Sequence, residues 1–462
     1  MLVDASEMLD RNPHRASYGI AVGDLEGDGR SSVFVTGFGG PNLVLQWRDG
    51  ALVDVADDVI GDPTRHAIGV ACGDLDVDGN EEVYVLNSDT FAGSKQLGDR
   101  LFARRGGEWV DLFGLPQNAE WLNLIAGRSV AALDRTGRGR YGFVVANYGG
   151  PIALFELRDD GTVRDVASDA GLAHVAGGRA LLALPLLPES LATGRMDVFA
   201  GNENSPNFLF ANRGDGTFEE VAERYGITDP DEHVRGAVAL DANDDGLFDL
   251  VYGNWEGPHR FFLQSSLGLF GDIASPAWSA RSRVRSVIAA DFDNDGYEEL
   301  FMNNIGMSNR LFRRVGMSWV AADPGAALEP EGLGTGAAVA DVDGDGRLEL
   351  IVAHGESALA PLGIYKARPN ENRWLRVAPR TAAGAPARGA AVRVRAGGRV
   401  HLRAIDAGSG YLCQMEPVAH VGLGPDPVRI DSVEVVWPGG RRLVIDDVAV
   451  DTTLHVPFPI RA

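Results

Sequence analysis

Asp341-Val-Asp343-Gly-Asp345-Gly346-Arg-Leu-Glu349, followed directly by Leu350-Ile-Val-Ala353, is the stretch whose reading decides the fold. It sets acidic side chains at loop positions 1, 3, 5 and 9 and a glycine at position 6. Alternate side chains of a tight loop converge on one point, and glycine permits the sharp turn. A hard cation such as Ca²⁺ takes about six to eight oxygens at roughly 2.3–2.6 Å, which suits this spacing. An acid at position 9 rather than 12 predicts a loop between two strands, not between two helices.

The loop recurs. Asp24-Leu-Glu26-Gly-Asp28-Gly29 comes first, and Asp74-Leu-Asp76-Val-Asp78-Gly79 with Glu82 at position 9 follows 50 residues later. Asp134-Arg-Thr136-Gly-Arg138-Gly139 holds the same place before a strand but lacks most of the acids. Asp241, Asn243, Asp245 and Asp249 form the next loop, and Asp291, Asp293, Asp295 and Glu299 the one before Asp341, again at intervals of 50. The 107 residues from Asp134 to Asp241 leave room for a further copy, placed at Pro185 to Arg195 with its acids lost and the strand from Asp197 retained. Two other markers keep the same count. A short segment such as Leu52-Val-Asp54 or Phe270-Gly-Asp272 precedes each loop, and an Asn/Gly-rich loop such as Pro206-Asn207 leads into a third strand.

Seven units of about 50 residues rich in short strands predict four-stranded blades around an axis; a linear solenoid usually has shorter repeats. The expected architecture is all-β: a seven-bladed β-propeller over 1–368, followed by a small antiparallel β domain over 369–462 with strand candidates at Trp374, Ala391, Val400 and Val433. The 59 glycines and 8% aromatic content agree with short strands and tight turns. A net charge of −23 argues against nucleic-acid or anionic-membrane partners, because neither polyanion attracts such a surface. Two cysteines, Cys72 and Cys413, make no disulfide framework. No run of eighteen apolar residues predicts a membrane span, and the N-terminus lacks signal-peptide character. The expectation is a cytoplasmic protein, or a secreted one if the sequence is a trimmed mature form.

The loops resemble the FG-GAP/VCBS calcium repeats of integrin-type propellers. The C-terminal block resembles the ASPIC/UnbV domain through Trp374-Leu-Arg-Val, Gly389-Ala390, Gly408-Ser-Gly-Tyr-Leu-Cys-Gln414, His420-Val-Gly-Leu-Gly424 and Val435-Val-Trp437-Pro-Gly-Gly440. Their order is that of the family of cartilage acidic protein and bacterial UnbV-like proteins. The resemblance implies calcium binding, an extracellular role in animals and, in bacteria, association with enediyne and other secondary-metabolite gene sets.

Four loops are complete, so four Ca²⁺ ions are expected, five if the first loop also binds through Asp24, Glu26 and Asp28 despite Ser32 at its position 9. Their role is structural, which directs the search for function to the other face. Counting six residues back from each loop gives Tyr18, Ile68, Arg128, Arg179, Arg235, Arg285 and Thr335, at the far end of the innermost strands. An arc of four arginines at a channel mouth could grip a carboxylate or phosphate, or could be salt-bridged to Glu203, Glu256 or Asp231. His66 and His233 stand two residues earlier, and Tyr148 and Trp255 lie among amide-rich loops on the same face. A general acid/base pair is conceivable from His233 or His354 with Glu203 or Glu256. No nucleophile motif stands out, and Ser409 and Cys413 read as part of a turn entering a strand. Two functions follow: a calcium-stabilised propeller that binds a small anionic ligand or a protein partner, or an enzyme of bacterial secondary metabolism with an arginine-lined substrate site.

Overall fold

The computed structural model describes residues 2–425 and 429–460. The chain is nearly all β, with only short helical turns between strands. Up to Ala367 the strands fall into four-stranded antiparallel sets in chain order, two of which are fused where Gly142–Pro151 pairs with Val175–Leu184. The innermost strands are Ser17–Gly23, Ala67–Gly73, Gly127–Leu133, Val175–Leu184, Val234–Leu240, Val284–Ala290 and Gly334–Ala340. Each packs against the next, and the last packs against the first, which gives a propeller-like ring. The N-terminal strand Leu2–Asp4 pairs with Gly363–Ala367 and so completes the last set rather than starting the first. That pairing leaves no free sheet edge at the junction.

The sequence markers have local structural causes. Where the short segment carries an acid, that residue lies on an outermost strand and accepts backbone N–H groups that the ladder leaves over. Asp54 Oδ1 takes those of Val44 and Ala56, and Asp165 Oδ1 those of Leu154 and Ala167. The Asn-rich loops are turns: Asn207 Oδ1 accepts the N–H of Asn202, and Asn309 Oδ1 that of Asn304.

Every innermost strand also carries a register shift near its start, between Ser17 and Ile20, Gly127 and Val130, Val234 and Ala237, and at equivalent points in the other four. A bulge re-aims a side chain. The residues caught in these irregularities are Tyr18, Ile68, Arg128, Arg179, Arg235, Arg285 and Thr335, the register picked out by counting.

From Arg373 onward the strands form two more sheets, one of four antiparallel strands and one of three. The smaller sheet departs from the expected antiparallel arrangement, since Arg373–Pro379 pairs in parallel with Thr452–Val456. Both lie against the acidic-loop side of the ring. Arg388 is fully buried and pairs with Glu81 at 2.5 Å; it also donates to Val22 O at 2.8 Å. Arg376 meets Asp341 at 3.1 Å, Arg403 meets Glu298 at 3.1 Å, and Gly422 N–H donates to Asp291 Oδ2 at 3.0 Å.

The Gly408–Gln414 segment turns at Tyr411–Leu412, with Ser409 bridged to Cys413, ahead of the strand Ala419–Gly424. It runs into the ring and bonds the innermost strands one after another. Gly410 and Ala237 exchange backbone hydrogen bonds, Leu412 O accepts from Val70, and Gln414 exchanges them with Ile20 and Val22. The Gln414 side chain pairs with both backbone groups of Cys72 at 2.8 and 3.0 Å. Ser409 is tied to Asp406, Cys413 lends its sulfur to the Ile20 N–H, and both cysteines are buried and free. No helix among the described residues is long and apolar enough to cross a membrane.

Candidate functional site

The acidic loops share one backbone frame. In six of them the position-6 glycine has positive φ and donates its N–H to the position-1 aspartate: Gly29 to Asp24, Gly79 to Asp74, Gly139 to Asp134, Gly246 to Asp241, Gly296 to Asp291 and Gly346 to Asp341. In the four complete loops one oxygen of the position-9 acid accepts the N–H at position 2: Glu82 from Leu75, Asp249 from Ala242, Glu299 from Phe292 and Glu349 from Val342. The other oxygen is left toward the loop interior or a neighbouring strand.

Carboxylate oxygens of Asp74, Asp76 and Asp78 lie within 4.8 Å of one another, as do those of Asp291, Asp293 and Asp295, and of Asp341, Asp343 and Glu349; each group could hold a metal ion. Buried oxygens Asp291 Oδ1 and Asp341 Oδ1 have no hydrogen-bond partner, which fits a cation. Burial, first of all, raises the carboxyl pKa of Asp74, Asp241 and Asp341 to about 6, of Asp249 to about 7, and of Asp291 and Glu349 to about 8. The Asp241 loop brings Asn243 to Asp245 at 3.0 Å, and Asp249 spends its second oxygen on the Gln264 N–H.

The Asp341 loop, the most regular in sequence, already holds an internal cation. Lys366 Nζ lies 2.8 Å from Asp343 and 3.0 Å from Asp345 and touches Glu349. In the Asp74 loop Arg105 reaches Asp76 at 2.6 Å. The first loop is less regular: Glu26 turns to Arg104 at 2.6 Å, and Asp28 accepts from Gln46. In the third loop Asp134 is saturated by backbone N–H groups of Gly137, Arg138 and Gly139. The fourth retains more than its sequence suggested. Asp197 stands at the start of the second strand, as the position-9 acids do, and binds Leu187 N–H at 2.9 Å, Ser190 Oγ at 2.8 Å and Asn212 N–H at 3.0 Å.

At the opposite mouth the four arginines form one connected arc. Arg128 and Arg179 both stack on Phe91, and Arg179 also lies 4.5 Å over Tyr148. Glu203 bridges Arg179 and Arg235, the latter at 2.7 Å. Arg235 and Arg285 both lie over the Trp255 ring, 5.4 and 4.6 Å from its centroid. Glu356 closes the arc on Arg285. Arg128 has no acid; it donates to Gly127 O at 2.9 Å and Phe91 O at 2.5 Å. Burial alone would raise the pKa of Glu203, but Arg179 and Arg235 outweigh it and hold the carboxyl at about 2.

One member of this site was invisible in sequence. Tyr411, carried into the ring by the C-terminal segment, is 3% exposed and lies in the field of all four arginines. Burial disfavours its phenolate, yet Arg179, Arg235, Arg285 and Arg128 together draw its pKa down to about 8. The only sequence signal was the Gly-Ser-Gly preceding it, and glycines alone do not reveal where a loop inserts.

The expected acid/base pairs do not form. His354 bonds Glu329 at 3.0 Å and Pro361 O at 2.7 Å, rather than Glu203 or Glu256. Glu256 pairs with Arg283 at 2.8 Å, and Glu203 is committed to its two arginines. His233 is near in backbone, bridging to Glu203, but its Nδ1 is buried without a partner. His66 stacks on Phe38 at 4.5 Å. The amides Asn147, Asn202, Asn254 and Asn304 close their own turns onto Pro151, Pro206, Pro258 and Ser308 carbonyls. A cavity of about 120 Å³ lies at the other end of the channel, between Val339, Phe248 and the Asp406–Ser409 segment.

Comparison with known proteins agrees with this anatomy. The FG-GAP-like repeat family matches residues 192–252, 241–302 and 291–352, and the ASPIC and UnbV family matches 380–459. Among solved structures, the BP39L lectin from Burkholderia pseudomallei shares the propeller-like fold with a TM-score of 0.50 at 13% identity, over 77% of this chain and 99% of that one. Cartilage acidic protein 1 from Homo sapiens is 45% identical over 493 aligned positions, covering 97% of this chain and 73% of the relative. The Xenopus tropicalis protein of the same name is 44% identical over 97% of this chain and 75% of the relative. These relatives lend the secondary-metabolism reading no support. With this identity over nearly its whole length and both repeat and C-terminal matches in order, the chain belongs to the family of cartilage acidic protein 1.

Proposed function

We propose that the protein is a calcium-stabilised propeller that binds a ligand or partner at the mouth opposite its acidic loops. The observation that carries the reading is the placement of the C-terminal residues: they cover the loop face and enter the channel from it, which leaves the arginine mouth as the uncovered end. The calcium part rests on the shared loop frame, the unpaired buried oxygens and carboxyl groups whose charged form is disfavoured without a cation. Asp74, Asp76, Asp78 and Glu82, the Asp241 set, and Asp291, Asp293, Asp295 and Glu299 would hold ions; at the Asp341 loop an ion must displace Lys366 and binds weakest. A bound ion would supply charge neutralisation and fix each turn; it takes no part in a reaction here.

The relatives are named for cartilage, which favours the secreted alternative over the cytoplasmic expectation. The mouth is tested by thermal-shift screening of carboxylates, phosphates, sugars and peptides on the wild type and on a Phe91→Ala/Trp255→Ala variant. The expected result is a ligand class that stabilises only the wild type. If every stabilising ligand acts equally on the variant, binding is elsewhere.

A further inference from the structure

We propose that the arginine arc and Tyr411 together make a composite site for a small doubly charged oxyanion, of the class of phosphate, sulfate or a short dicarboxylate, with the C-terminal segment supplying the phenol. This rests on the reading that ligands bind at the mouth.

Charge balance is the first ground. Four guanidinium groups, Arg128, Arg179, Arg235 and Arg285, face two carboxylates, Glu203 and Glu356. The difference leaves two positive charges uncompensated on side chains that are buried or nearly so. A desolvated charge without a counter-charge is costly. The protein as a whole carries −23, so the excess is local and directed.

Unused donors are the second. Arg235 Nε and Arg285 Nε are buried with no partner, and so is His233 Nδ1. Among the described residues Tyr411 makes no side-chain hydrogen bond with the protein, although its backbone neighbours are tightly held. Stacking on Phe91, Tyr148 and Trp255 occupies the faces of the guanidiniums, so Arg235 Nε and Arg285 Nε are the N–H groups left for an acceptor.

The third ground is that the arc is one-sided. The other three sets place Tyr18, Ile68 and Thr335 at the same register, and Thr335 spends its hydroxyl on Ser17 O and Ala353 O. An anion is therefore drawn to the arginine side, whose field reaches Tyr411. Loss of Tyr411 must weaken binding even though it lies in a different sequence domain from the arginines. The lowered phenol pKa is the electrostatic counterpart of the same excess: the arginines favour any negative charge placed there, including the phenolate itself.

Calorimetric titration with sodium phosphate, sulfate and malonate, at constant ionic strength against chloride, tests the proposal. One saturable site per chain is expected. Tyr411→Phe, which removes only a hydroxyl, should raise Kd by roughly tenfold, the loss of one charge-assisted hydrogen bond. Glu356→Gln frees Arg285 and should lower Kd about threefold or more, a gain that misfolding cannot imitate. The order of affinity among the three anions identifies the preferred headgroup. Absence of saturable binding for all three, or unchanged Kd in both variants, overturns the proposal. A neutral ligand that depends on Phe91 and Trp255 while the anions do not bind would sink the oxyanion site and leave the mouth reading intact.

Discussion

Replacing Arg388 by methionine puts the joint between the ring and the C-terminal sheets under direct test. Arg388 is 0% exposed and Glu81 only 3%; the guanidinium pairs with the carboxylate at 2.5 Å and also donates to Val22 O and Asp406 O, both at 2.8 Å. Removing the cation leaves Glu81 buried and unpaired, which costs about 3–5 kcal/mol. Unfolding entropy near 2.1 cal/mol/K per residue gives roughly 1 kcal/mol/K for a chain of 462 residues unfolding as one unit. The expected fall in Tm is then about 3–5 °C in a single transition. If residues 369–462 melted alone, the same penalty would act on roughly 0.2 kcal/mol/K and displace a separate transition by about 15–25 °C. The single transition is expected because the 406–416 segment is hydrogen-bonded to several innermost strands and cannot leave without breaking the ring's interior. Differential scanning calorimetry of Arg388→Met and of Glu81→Gln/Arg388→Met decides it. The double variant should recover part of the loss, since it no longer buries a lone charge. A Tm within 1 °C of wild type, or a split endotherm, would refute the reasoning.

Four further outcomes are expected. Chelation should lower Tm, because an ion bound only to the native state contributes about 2.7 kcal/mol per site at a hundredfold excess over Kd; an unchanged midpoint contradicts the calcium reading. Lys366→Met should raise the number of calcium ions counted per chain by native mass spectrometry, or tighten the weakest one, whereas Asp197→Asn should leave the count alone and cost about 1–3 kcal/mol through its lost buried hydrogen bonds. Glu203 has its pKa depressed to about 2, so its pairing with Arg179 and Arg235 contributes stability in full above the unfolded value near 4.3 and loses it as pH falls toward 2. The stability gap between wild type and Glu203→Gln should therefore be constant above about pH 5 and narrow below it; a gap that widens in acid contradicts the assignment.

Much of the fold was legible because its signals are local. A loop in which Gly346 must adopt positive φ to cap Asp341, or a strand-end acid such as Asp54 that accepts two neighbouring N–H groups, is specified by residues within a few positions of one another. Such requirements recur at each repeat and fix the period. The arginine register was also legible, since a bulge at one fixed distance before each loop needs only the loop as reference. The site's chemistry was less so. Histidine and glutamate on the same face suggested acid/base pairs, but His354 lies nearer Glu329, a residue of the preceding inter-set loop, and the ring geometry chose between them.

What the sequence by itself determined is the repeat, the turn chemistry and the ring of equivalent positions, each set by short-range backbone demands. What only the tertiary structure decided is who meets whom across the ring: Lys366 inside the Asp341 loop, Arg388 against Glu81, and Tyr411 among arginines drawn from residues 128 to 285. Those contacts join residues separated by up to hundreds of positions. They depend on ring closure and on how deeply one glycine-rich segment threads the channel, quantities to which no local pattern of residue types is sensitive.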